Sequence, residues 1–176
     1  MKYLTFDEVV KLLVCIDNKR DILLIQLGLV LGCRVSEVVN MKLKNILTDR
    51  IILWDEKKNK FRECVIDPET KTMLDDYIAT EWKPKPHHAH RLFYFSCKTA
   101  NRIVKHWFKA AGIPAEKAHW HTLRHTYCVQ SLDAGVPLNH VCEQTGDSPL
   151  TVIKIYSRPS IDDRLKMIRK KSYWRR

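Results

Sequence analysis

No two cysteines of this chain stand in a CxxC pair. The six, Cys15, Cys33, Cys64, Cys97, Cys128 and Cys142, are scattered, most of them inside apolar periodic segments. That spacing fits buried free thiols in a reducing compartment better than disulfides or zinc. Long hydrophobic runs are also missing. The longest, "ILLIQLGLVLG", is broken by Gln26 and falls short of the roughly 18 residues of a membrane span. The start, "MKYLTFDEVVKLL", places acidic residues where a secretory h-region would follow, so no signal peptide is read and an intracellular protein with no membrane partner is expected. Neither an internal repeat nor an interdomain linker is visible, and residues 1–176 read as one domain.

Acidic residues are in short supply. Twenty Asp and Glu face thirty-one Lys and Arg, for a net charge of +11. A domain this basic calls for an anionic partner, of which nucleic acid is the commonest. Hydrophobic content of 45% marks a globular chain with a real core.

Local signals outline a mainly helical domain with one small antiparallel β-hairpin. Thr5 and Glu8 form a capping box before a short helix. A second helix, from about Lys19 to Gly32, is apolar almost all round and so is expected to be buried. "RVSEVVNMKL" follows with Ser36 as its N-cap. "RIILW" and "FRECVI" flank the polar run "DEKKNK" and read as a hairpin. Asp67-Pro68 opens a helix with Met73, Leu74, Tyr77 and Ile78 on one side. "KPKPHHAHR" is a loop whose histidines fit no standard ligand spacing, so no metal is assigned. "LFYFS" reads as a short strand. Thr99 is expected to cap a helix through Ala111 that ends at Gly112. Two more helices close at Gly135 and Gly146, and Ser148-Pro149 opens the next. The tail from Ile161, within a segment of about 160–176, reads as a basic amphipathic helix, suited equally to DNA backbone or a neighbouring protomer.

The chemistry concentrates in a few segments. In "HTLRHT", His121 and Arg124 share a helix face. His125 is four residues from His121, as in HExxH, but the general-base Glu is absent and a cation stands where a metal would sit. Arg with His suits an anion: the guanidinium forks onto phosphate oxygens, and the imidazole moves a proton near neutral pH. In "GCRVSE", Arg34 directly follows the buried helix and needs a partner or a ligand. Glu37 is spaced to orient it. Tyr156 ends a short helix, and tyrosine is a weak nucleophile unless a base or nearby cations assist it.

The order Arg34 in "LGCRVSEVV", lysine in a hairpin, "HTLRHT", a glycine-containing turn and Tyr156 in "IKIYSR" resembles the tyrosine recombinase (phage integrase) family, over nearly the whole chain. The resemblance implies that family's catalytic-domain fold and a transesterification on double-stranded DNA that needs no cofactor. Tyr156 would attack a phosphodiester, forming a 3′-phosphotyrosyl link and releasing a 5′-hydroxyl. Arg34 and Arg124 would clamp the non-bridging oxygens, and His121 would assist proton transfer. "EKKNKFRECVI" resembles the family's "GKGNKERVVPI", which aligns Lys57 with its general acid. Lys58 and Lys60 compete for that role, because a hairpin slip changes which side chain points in. Lys58, Lys60, Lys154 and Arg158 are candidate DNA contacts. The resemblance further implies self-association on DNA, tetrameric in family recombinases, and a prokaryotic host or its virus or plasmid. A type IB topoisomerase-like nicking and religating enzyme and an inactive DNA-binding regulator are the alternatives.

Two departures stand out. The family reads "LGHSS" before its tyrosine, with His or Trp on the phosphate; here "TGDSP" puts Asp147 there. An ionised carboxylate would repel the ligand: two unit charges 4 Å apart cost about 4 kcal/mol at an effective dielectric of about 20. Asp147 could be protonated, could turn toward Lys154 or Arg158, or could cap the next helix. Capping is preferred, because Pro149 follows closely. The second departure is that no N-terminal core-binding domain of the family is read within residues 1–176, so either a catalytic fragment or a natural minimal protein is expected, with weak, steeply salt-dependent binding through phosphate contacts.

Overall fold

The computed structural model describes residues 3–85 and 90–156, the side chains of 154–156 excepted. The proposed tail helix, Arg158, the side chains of Lys154 and Tyr156, and residues 86–89 of the histidine-rich loop therefore lie outside the described residues.

Capping chemistry sets the helix starts. In α1 (Phe6–Cys15) Thr5 Oγ1 accepts from the Glu8 amide at 3.2 Å, and Glu8 Oε2 accepts from the Thr5 amide at 2.8 Å. Asn18 caps α2 (Lys19–Leu31), and Gly32 ends it in the left-handed conformation. Leu23, Leu24, Ile25, Leu27 and Leu31 are buried on a broad face of α2, and Ile22, Gln26, Leu29 and Val30 on the rest of it are half-buried, so the helix packs into the core as its apolar sequence leads one to expect. The short α3 (Val35–Val39) leads through a 3-10 turn at Leu43–Asn45 to the hairpin β1 (Arg50–Asp55) and β2 (Lys60–Val65). Asp67 and Pro68 open α4 (Pro68–Thr80). Then come α5 (Cys97–Ala110), a second 3-10 turn at Ala115–Lys117, α6 (Trp120–Asp133), α7 (Leu138–Thr145) and α8 (Pro149–Tyr156). The mainly helical architecture with one two-stranded antiparallel sheet is as expected from the sequence.

Three boundary expectations are corrected. The N-cap of α3 is Arg34 rather than Ser36, with the Glu37 carboxylate accepting from the Arg34 amide at 2.6 Å. Helix α5 starts three residues earlier than expected: Ser96 is its cap, and Thr99 supplies the amide that Ser96 Oγ accepts. "LFYFS" forms no strand. Arg91 makes an isolated bridge to Lys42, and the partner segment at once coils into the 3-10 turn, so no ladder can extend. Leu92 and Phe93 are nevertheless buried.

Helix α2 packs on α4 and α6. The approach to α6 depends on Gly28, where a Cβ would stand 2.8 Å from Leu123 and 3.1 Å from Trp120. Trp120 in turn donates its indole N–H to the Cys33 carbonyl at 2.8 Å, pinning the link that carries Arg34. A satellite cluster of Cys128, Val141, Cys142 and Val152 seats α7 and α8 on α6. All six cysteines are free thiols, four of them buried. No helix among the described residues is long and apolar enough to cross a membrane.

Candidate active site

Strand period and register build one wall of the site. In β1, Ile51, Leu53 and Asp55 alternate onto the inner, buried face. Their cross-strand partners in β2 are Cys64, Arg62 and Lys60. Asp55 therefore faces the interior at the end of the hairpin. Its Oδ1 accepts from the amides of Lys57 (3.0 Å) and Lys58 (3.2 Å) in the turn. Its Oδ2 lies 3.1 Å from Arg34 Nη1. Burial raises the Asp55 carboxyl, but Arg34 and those turn amides outweigh it, leaving the group below the usual carboxylate range. Lys57 and Lys58 thus sit in the turn, and Lys60 pairs with Asp55 across the strands.

Arg34 stands where α2 hands over to α3. Its guanidinium meets Glu37 (3.2 Å), Asp55 (3.1 Å) and Asp147 (3.4 Å), and its side chain keeps 24% of its surface open. Glu37 also takes Arg62 Nη2 at 2.7 Å. Arg62 reaches on to the Gln144 carbonyl, and the Gln144 amide group pairs with both backbone groups of Val65 at 2.9 and 2.8 Å. Hairpin, α3 and the end of α7 are thereby tied together. Cys64 touches Arg62, but burial pushes its thiol up to about 11 against the pull of that arginine, so it is no nucleophile at neutral pH.

Glu37 is the hub of this wall, with only 1% of its side chain exposed. Glu37→Gln leaves Arg62 without its carboxylate partner, and breaking a buried pair costs about 3–5 kcal/mol. The midpoint of thermal unfolding is expected to fall by about 10 °C for a domain of this size. A fall of less than about 2 °C in differential scanning calorimetry would remove Glu37 from that role.

Helix α6 supplies the opposite wall. Arg124 is nearly enclosed; it donates through Nη1 to the Gly32 carbonyl at 2.8 Å and places Nη2 2.6 Å from Asp147 Oδ2. No well-aligned hydrogen bond satisfies that Nη2, nor Asp55 Oδ2. His121, one turn before Arg124, is exposed at the mouth. Partial burial of its ring, then Arg124 and His119, hold its pKa below the ordinary histidine value, with Asp147 opposing. The free imidazole is thus neutral at pH 7 and able to accept a proton. Because the folded value is the lower one, the unfolded chain binds more protons between the two values. This contribution to stability is present above about pH 6.5 and is lost as pH falls through the folded value. An NMR titration is expected to place the His121 midpoint below that of an unfolded histidine; a midpoint above it contradicts the assignment.

Asp147 does not cap α8. Ser148 does, its Oγ accepting from the Thr151 amide at 3.3 Å. The two oxygens of Asp147 go instead to Arg34 and Arg124. Gly146, at φ +75°, delivers it there, and a Cβ at Gly146 would stand 2.9 Å from Arg62 Nε and 3.0 Å from Asp55 Oδ2. Tyr156 is the last residue of α8.

The structure therefore brings together Arg34, Glu37, Arg124 and Asp147, with His121 beside them and the lysine turn held to Arg34 through Asp55. Sequence reading missed Asp55 and Arg62. The period-2 pattern Ile51–Leu53–Asp55 was the available signal for the first; Arg62 had none, since its partners come from distant segments.

Two converging arginines, a neutral histidine and a lysine-bearing hairpin form an arrangement with the charge and donors suited to an oxyanion. The model of the phage integrase family matches residues 2–161, and the chain belongs to that family. It is 30% identical over 165 residues to tyrosine recombinase XerA of Pyrococcus horikoshii, covering 89% of this chain and 56% of that protein. It is 32% identical over 171 residues to tyrosine recombinase XerC of Caldanaerobacter subterraneus subsp. tengcongensis, covering 92% and 48%. The chain spans about half the length of these relatives. The crystal structure of XerA recombinase superposes with a TM-score of 0.83 at 24% identity, over 96% of this chain and 64% of that one.

Proposed function

We propose that this domain cleaves and rejoins double-stranded DNA as a site-specific tyrosine recombinase. The observation that carries the reading is that Arg34 and Arg124, from segments far apart in the chain, converge on one anionic group. Family membership and the net charge of +11 support DNA as the polyanion.

In the proposed reaction the Tyr156 hydroxyl attacks a phosphodiester and a 3′-phosphotyrosyl bond forms as the 5′-oxygen leaves. Arg34 and Arg124 hold the non-bridging oxygens, whose charge grows in the transition state. His121, neutral beforehand, takes the proton of the tyrosine. A lysine of the hairpin, Lys57 by alignment with Lys58 and Lys60 as alternatives, protonates the leaving oxygen. Attack by a 5′-hydroxyl reverses the step with the bond energy conserved in the covalent link, so no cofactor is needed. Lys154 and Arg158 are proposed as backbone contacts, the protein as tetrameric on DNA, and its setting as the interior of a prokaryotic cell, encoded by the host, a virus or a plasmid.

The test is a nicked duplex that loses its short 5′-hydroxyl strand on cleavage. A covalent protein–DNA adduct is expected by denaturing electrophoresis. Its complete absence on every duplex tried would favour an inactive DNA-binding protein, a reading that the carboxylate of Asp147 invites. Strand exchange between two duplexes, and not relaxation alone, separates a recombinase from a topoisomerase-like enzyme.

A further inference from the structure

Among the described residues, the arginine cluster is closed by charge. Arg34, Arg62 and Arg124 face Glu37, Asp55 and Asp147, one acid for each base. An incoming phosphodiester adds a fourth anion to this set. One carboxylate has to yield, and the three are not held alike. Glu37 is locked by the Arg34 amide and by Arg62. Asp55 is locked by two turn amides and has no exposed surface. Asp147 keeps 16% of its side chain exposed and belongs to the short link between α7 and α8.

We infer that Asp147 is an internal stand-in for the scissile phosphate: it fills the two-arginine seat when DNA is absent, and the phosphate must displace it. Its two oxygens divide between the two arginines. One oxygen lies 2.6 Å from Arg124 and the other 3.4 Å from Arg34, as two non-bridging oxygens of a phosphodiester would be shared. Arg124 Nη2, lacking an aligned hydrogen bond, is left with donor capacity for a better-placed oxyanion. Filled by Asp147, the site takes up stray anions poorly.

This inference rests on the recombinase reading for its biological sense but is measured without DNA. The readout is binding of inorganic phosphate, at fixed ionic strength, to the whole chain and to Asp147→Asn by titration calorimetry. The variant keeps the side-chain shape and removes the competing charge. It is expected to bind phosphate at least about tenfold tighter, and adding Arg124→Lys is expected to abolish the gain. Equal or weaker phosphate binding by Asp147→Asn overturns the inference and makes Asp147 a brace that positions the arginines. Because the variant leaves Arg124 short of a partner, thermal unfolding is followed as well. Phosphate is expected to raise the midpoint of the variant more than that of the parent, and an equal or smaller rise again overturns the inference. A chain that forms no DNA adduct yet shows the phosphate gain loses the recombinase reading and keeps this one. Adduct formation without the gain does the reverse.

Discussion

Tyr156→Phe is expected to leave no covalent adduct on the nicked duplex, while binding the same DNA within a few-fold of the parent. The substitution removes one oxygen, and with it the atom proposed to form the bond to phosphorus. Nothing described in the site can take its place. Cys64 is buried with its thiol pushed up to about 11, and the Ser148 hydroxyl is engaged with Thr151 at the start of α8. Phosphate contacts, which supply most of the affinity, do not depend on that hydroxyl. An adduct that persists in Tyr156→Phe would assign the nucleophile elsewhere.

The second large effect is expected from Arg124→Lys, a slowing of adduct formation by about 10²–10³-fold under single-turnover conditions. Arg124 performs two tasks at once: Nη1 holds the Gly32 carbonyl and Nη2 points at the anion seat. A lysine is a single charged nitrogen on a flexible stem and cannot span both. If it reaches the anion, the buried Gly32 carbonyl loses its partner, at a cost of about 1–3 kcal/mol. If it keeps the carbonyl, the transition state loses a donor. Measuring the rate alongside thermal unfolding separates the two, since a stability loss alone does not slow a protein that remains folded at the assay temperature. A rate within about threefold of the parent, against the 10² expected of a lost donor, would remove Arg124 from the oxyanion clamp.

The two effects differ in how far the sequence alone could anticipate them. The tyrosine, both clamp arginines and the histidine were legible because motif order and spacing survive in one dimension. So were the caps at Thr5, Asp67 and Ser148, each of which acts on an amide three residues away. The buried course of α2 followed from its all-round apolar composition. Local physics determined these features, and local sequence displayed them. It failed where a strand needed a distant ladder, at "LFYFS", and where two residues competed for one cap, at Ser96 and Thr99.

Asp147 shows what only the tertiary structure decided. From its neighbours it looked like a helix cap, because Pro149 follows and aspartate suits that place. In the fold, the left-handed Gly146 turns it away from α8 and toward two arginines contributed by residues 34 and 124. Arg62 and Asp55 acquired their roles in the same way, one reaching Glu37 and Gln144, the other joining the lysine turn to Arg34. The sequence by itself determined most of the elements, the family and the residues proposed to carry the chemistry. Only the folded chain decided which charge faces which. Ion pairing depends on distance in space, and the packing of α6 and the hairpin around α2 and α3 sets those distances.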